Sequence, residues 1–148
     1  MHRATAPAQD PAHKNAEVEN MAGDNDPVDI VEIGSTQHPM GSVIKVKALG
    51  VFAMIDDGEL DWKVVAIDVN DPLASKYNDI DDVPEEIKAG IREWFRWYKT
   101  PDDKPLNGFG FGEKFLDKAE TVKVIQETHE AWQKLKEGKT DKGKLWTE

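Results

Sequence analysis

Cysteine is absent from the 148 residues. No disulfide, thiolate nucleophile or zinc–sulfur centre can therefore be built from this chain, and the composition reads as intracellular. Long apolar runs are also missing. No stretch approaches the roughly 18 residues needed to cross a bilayer. The opening residues, Met1 to Asn20, lack the apolar centre of a signal peptide, and an acid at Asp10 runs against the acid-poor habit of transit peptides. Positive charge is scarce, with 19 Lys and Arg against 29 Asp and Glu and a formal net charge of −10. That balance disfavours a broad nucleic-acid surface, which would need a basic stripe. It leaves an anionic small substrate open, because bound divalent cations reverse the local sign.

What is present suits one domain with a real core, at 39% hydrophobic and 32% charged residues. Residues 1–22 read as a polar arm, 23–138 as the folded domain and 139–148 as a polar tail. Three β-like runs come first: PVDIVEIG (27–34), GSVIKVKALGVFAMI (41–55) and DWKVVAIDV (61–69). In the first, Val28, Ile30 and Val31 or Ile33 are expected to face inward. Asp57-Gly58 between the second and third is a hairpin signal, since glycine accepts positive φ without steric cost. The second half turns helical. Asp82-Val83-Pro84 should start a helix over 85–99 with Ile87, Ile91, Trp94 or Phe95, and Tyr98 on one face. Thr100-Pro101 should stop it. A Pro- and Gly-rich loop then leads to a long helix over 117–138. Its expected stripe is Val122, Ile125, His129, Trp132 and Leu135, with Gly138 as C-cap. The order β-β-β-α-α predicts an α+β fold with helices outside a small, partly closed sheet.

The acids raise the chemical question. GDNDPVDIVEIG (23–34) sets Asp24, Asp26 and Asp29 within six positions. The plain reading is a solvated turn fixed by Pro27. A calcium EF-hand loop fits poorly, with Asp29 where it needs glycine and Ser35 where it needs glutamate. Asp56 and Asp61 bracket the hairpin turn, and Asp57 and Glu59 lie in it. If the strands are neighbours, Asp24, Asp26, Asp29, Asp56 and Asp61 converge. Such crowding is unfavourable without a compensating cation, and oxygen-only ligands select hard ions such as Mg²⁺ or Mn²⁺. Lys63 shares a strand face with Asp61, and Tyr98 and Lys99 end the first helix. Their ordinary roles would be core packing for Tyr98 and a helix-dipole contact for Lys99. Together, carboxylates, lysines and a phenol form a site suited to phosphate oxygens.

GDNDPVDIVEIG, DDGELDWKVVAIDVNDP, WFRWYKTPDDKP and ETHEAWQKL together resemble the soluble inorganic pyrophosphatases of the first family, in their eukaryotic, fungal-like form. The first block matches the family signature D-x-D-P-x-D as Asp24, Asp26, Pro27 and Asp29. The resemblance implies an OB-like small β-barrel with two α-helices packed outside. It implies Mg²⁺-dependent hydrolysis of pyrophosphate to two phosphates by water activated at the metal, with Mn²⁺ as a substitute. Asp24, Asp29, Asp56 and Asp61 become the metal ligands and Asp26 the partner of the attacking water. Lys63, Tyr98 and Lys99 become the pyrophosphate clamp, and Glu59 a supporting acid. A homodimer in the cytoplasm follows from the eukaryotic form, with the mitochondrion as the alternative compartment. His2, His13, His38 and His129 match no family position, and His129 reads as a packing or surface residue.

Measured against the family, the chain reads as shortened at both ends, so the barrel is expected to be incomplete on its N-terminal side. The family's upstream strands, with an arginine for phosphate and a tyrosine near the metals, have no counterpart before Asp24. The competing reading is therefore a catalytically impaired relative acting as a metal-binding or dimerising module. An OB-like oligonucleotide binder is a weaker third, opposed by the net charge. Phosphate release with Mg²⁺ against EDTA separates the enzyme from the module.

Overall fold

The computed structural model describes residue 18, residues 21–141 and residue 143. Most of the expected arm over 1–22 and part of the tail over 139–148 lie outside the described residues. Among the described residues four strands form one open sheet in the order β1-β3-β2-β4: β1 is Asp29–Glu32, β2 Val46–Asp56, β3 Glu59–Asp68 and β4 Gly108–Phe109. β2 and β3 are rich in β-branched residues and form the hairpin that the pattern predicts. Asp57 at φ 49° and Gly58 at φ 81° make its two-residue turn, the twist-compatible kind that needs positive φ at both positions. β1 pairs with β3 in parallel and β4 with β2 in antiparallel. The mixed, unclosed sheet with two helices fits the expected incomplete OB-like barrel. β4 is an addition: its two residues fall in the segment read from sequence as loop, too short to show an alternation.

Pairing register sorts the side chains. Phe52 and Met54 sit opposite Lys63 and Asp61, so these four share one face. On this face Phe52, Met54, Val65 and Ile67 form the main core with Ile80 and Val83. Helix α1 (Glu85–Trp97) covers it, packing Ile87, Ile91 and Phe95, followed by Tyr98. Phe52 is the hub, its ring 5.6 Å from Phe95, 5.8 Å from Phe109 and 4.9 Å from Phe115. Val51 and Val64 point to the other face, against Val124 and Ile125 of helix α2 (Lys118–Lys136). Leu49 is left unpaired where the register steps from Ala48 to Gly50, and it turns into the main core. At Gly50 a Cβ would lie 2.6 Å from Cβ of Ile80, so only glycine lets the backbone come so close.

Three local expectations change. Ile30 is 45% exposed on the edge strand, whereas Val28 and Ile33 pack inward. Asp82 does not cap α1: its carboxylate accepts from the Asn78 and Asp79 N–H groups, and Pro84 begins the helix without a side-chain cap. α2 buries Thr121 and Val124; of the expected stripe Ile125 packs inward beside them, while Val122 and Trp132 are about half exposed. The helix is rotated because Asp117 caps its start through the Glu120 N–H while Leu116 is tied to Val51. Gly138 ends it at φ 70° with bonds back to Leu135 and, through Lys139, to Lys134, as expected.

Candidate active site

The site lies at the hairpin end of the face that α1 covers. Asp29 is the register partner of Lys63 across β1 and β3, and Asp61 precedes Lys63 by two on the same face. Lys63 Nζ donates to Asp29 Oδ2 at 2.5 Å and to Asp61 Oδ2 at 2.7 Å. The lysine is 3% exposed, with its ammonium 5.3 Å from the centre of the Phe95 ring. Burial on its own would lower the Lys63 pKa, but the bonds to Asp29 and Asp61 outweigh it and hold the value above the usual lysine range. Burial raises the Asp61 carboxyl above its usual range, Lys63 opposes this, and the charges of Asp24 and Asp29 add to the rise. Asp24 and Asp29 thus act on Asp61 through space.

A second ion pair stands beside the first. Asp56, at the end of β2, accepts from Lys99, just beyond α1. That bond lifts the Lys99 pKa most; burial works against it, and Tyr98 adds to the rise. The Lys99 ammonium also lies 5.5 Å from the Tyr98 ring centre. Tyr98 stacks on Trp94 at 5.0 Å and meets Phe95 edge-on at 5.5 Å. The aromatic end of α1 is therefore a floor that carries both lysines and the phenol. Trp94 is 60% exposed, so of the Trp94/Phe95 pair the sequence left open, Phe95 belongs to the core.

The signature turn lies outside this floor. Asp24 Oδ1 accepts the Asp26 N–H at 3.0 Å, and Asn25 between them takes φ 61°. This is the side-chain-closed turn that Asp and Asn favour. Gly23 bridges to Leu60, which carries the turn alongside β3. Asp24 is half-buried, while Asp26, Asp57 and Glu59 are exposed. Asp29, Asp61 and Lys63 are brought into contact, Asp56 and Lys99 form the neighbouring pair, and Asp26 stands at the rim. Among the described residues no three acidic or imidazole side chains are gathered into a ready cage for a metal ion; Lys63 stands between two of them. The donor set still fits a hard divalent cation. It is all oxygen, and such an ion relieves the charges of Asp24 and Asp29 that add to the rise burial causes at Asp61.

Phe95 under Lys63 has no sequence signal beyond its place in the helical stripe. A third acidic group also emerges at the far end of β1 and β3. Glu32 Oε1 accepts the Gly34 N–H at 2.7 Å and the Asp68 N–H at 2.9 Å. Asp71 accepts the Ser35 N–H and hydroxyl at 2.7 and 2.8 Å and the Leu73 N–H at 2.8 Å. These carboxylates satisfy backbone donors and clamp β1 to β3, which sets Asp29 against Lys63. His129 lies on the surface of α2, its ring 5.4 Å from that of Trp132.

An open OB-like sheet with carboxylates and lysines interleaved at one end defines a fold class and a charge pattern rather than a particular reaction. Comparison with known proteins narrows it. The family model for inorganic pyrophosphatase matches residues 11–133, and the chain belongs to that family. It is 52% identical over 140 residues to soluble inorganic pyrophosphatase 6, chloroplastic, of Arabidopsis thaliana, covering 93% of this chain and 47% of that protein. It is 49% identical over 137 residues to the human inorganic pyrophosphatase, covering 90% of this chain and 47% of the relative. The solved inorganic pyrophosphatase of Schistosoma japonicum superposes with a TM-score of 0.77 at 52% identity, over 80% of this chain and 43% of that one. The chain thus spans about half the length of the relatives it matches.

Proposed function

We propose that this site hydrolyses inorganic pyrophosphate to two phosphates with Mg²⁺, for which Mn²⁺ can substitute. The observation that carries the reading is the interleaving of Asp29, Lys63 and Asp61 beside Asp56 and Lys99 on one sheet face, in a chain of this family. Asp24, Asp29, Asp56 and Asp61 would hold the ions. A bound divalent ion supplies a water of lowered pKa and neutralises charge on phosphate oxygens. Asp26, exposed at the rim, accepts a proton from the attacking water or anchors it. Lys63, Lys99 and the Tyr98 phenol bind phosphate oxygens and offset the charge that develops on the leaving group. The α1 floor keeps these donors at fixed spacing, so little reorganisation is needed at the moment of reaction.

The test is phosphate release from pyrophosphate by the purified chain, with Mg²⁺ and then with EDTA. A metal-dependent rate is expected; no rate above buffer rejects catalysis by this chain. The unclosed sheet favours a second reading, a non-catalytic metal-binding or dimerising relative. Mg²⁺ binding without turnover would select it. A homodimer in the cytoplasm completes the first reading, with the mitochondrion as the alternative compartment. No helix among the described residues is long and apolar enough to cross a membrane.

A further inference from the structure

We propose that Lys63 and Lys99 are resident cations that compete with divalent ions for the site carboxylates, and that displacement from those carboxylates frees both ammonium groups for the substrate anion. This rests on the hydrolytic reading above and adds a coupling to it. Each lysine assigned to the anion is bonded to a carboxylate assigned to the metal: Lys63 to Asp29 and Asp61, Lys99 to Asp56. An ammonium has three donors. Lys63 gives two to carboxylates, and its charge also lies near the Phe95 ring. At 3% exposure it has no route to share itself with an anion in solution while these bonds hold.

The two carboxylates on Lys63 are not equivalent. The Asp29 side chain is 62% exposed and Asp61 is 14% exposed. Asp29 can therefore leave at small desolvation cost, whereas Asp61 stays in place. A divalent cation with twice the charge and a preference for oxygen takes over both acids, and Lys63 is released without leaving a buried carboxylate unpaired. Coupling of this kind is reciprocal. The anion should bind weakly before the metal, and the metal should bind more tightly once the internal competitor is removed.

Isothermal titration of the whole chain with Mg²⁺, without pyrophosphate, tests this. K63M and K99M keep the length of the side chain and remove its charge. K104M removes the same charge from a loop lysine that forms no ion pair among the described residues. K63M and K99M should bind Mg²⁺ about fivefold or more tightly than wild type, the lower end of ordinary site coupling, and K104M should not. Equal affinities across wild type, K63M and K99M overturn the proposal, as does Mg²⁺ binding by none of them. A gain by K104M equal to theirs also overturns it, since net charge alone would then explain the effect. If K63M fails to fold by circular dichroism, K99M decides, because Lys99 is half-exposed at the helix end. In wild type, imidodiphosphate should bind about fivefold or more tightly with Mg²⁺ than without; equal binding counts against the coupling. If the lysine variants gain Mg²⁺ affinity and yet no chain releases phosphate, the competition stands and the hydrolytic reading falls.

Discussion

Asp29 and Lys63 are 34 residues apart in sequence and directly opposed across a parallel strand pair, with their charged atoms 2.5 Å apart. Only four residues of β1 pair with β3, so this contact depends on the clamps at both ends of the strand. Gly23 and Ala22 lie against Leu60 at one end, and Glu32 and Asp71 bind backbone donors at the other. The site is thus a consequence of strand register, and each of its parts can be tested separately.

Asp26→Asn should separate chemistry from metal binding. The carboxylate is exposed and outside the two lysine pairs, so Mg²⁺ affinity by calorimetry should stay near wild type. Turnover should drop about a hundredfold to ten-thousandfold, the usual worth of a positioned acid or base. Unchanged turnover would remove Asp26 from the reaction.

Tyr98→Phe keeps the ring that stacks on Trp94 and meets Phe95 and deletes only the hydroxyl. Loss of a hydrogen bond to a charged group, about 1.5–3 kcal/mol, predicts roughly a tenfold to hundredfold fall in kcat/KM. A variant as active as wild type, with the same melting temperature, would return Tyr98 to a packing role.

Asp71→Asn should destabilise the fold in a pH-dependent way. Hydrogen bonds from the Leu73 and then the Ser35 backbone hold the Asp71 carboxyl below its usual value of 3.8. A depressed acid contributes stability that is present above 3.8 and is lost as pH falls through the lower, folded value. Melting temperatures of wild type and D71N should therefore differ at pH 6 and converge in strong acid. A gap that persists below that range would assign the effect to shape rather than charge.

Gly50→Ala places a methyl group 2.6 Å from Cβ of Ile80. Overpacking of a tight core costs about 1–3 kcal/mol, which urea denaturation should report as a lower midpoint at unchanged slope. No shift would mean that the turn at Ile80–Asp82 moves freely.

Legibility followed the range of the interaction. The Asp57-Gly58 turn, the Gly138 cap and the inward set of Ile87, Ile91 and Tyr98 were readable because each depends on a few neighbouring residues; the choice between Trp94 and Phe95 was left open. β4, the true buried face of α2 and the role of Asp82 were not. The pairing of β4 is set by Met54 and Ile55, more than fifty residues upstream. The rotation of α2 is set by the bond of Leu116 to Val51. Periodicity within one segment holds no trace of such partners. The candidate site residues were legible as a family pattern, and their acidic crowding was legible as a need for positive charge.

Sequence alone determined which residues are candidates for the site, with Asp24 and Asp26 in the first turn, Asp29 at the start of β1, Asp56 and Asp61 around the hairpin, and Lys63, Tyr98 and Lys99 beyond. It also determined the hairpin, since two β-branched runs joined by Asp-Gly have few other local solutions. Tertiary structure decided which charges meet. Lys63 answers Asp29 and Asp61, and Lys99 answers Asp56, because the parallel β1–β3 register and the end of α1 bring them together. Electrostatic attraction falls with distance and desolvation multiplies it. The partner of a buried charge is therefore set by the packing that excludes water around it, and no linear spacing encodes that choice.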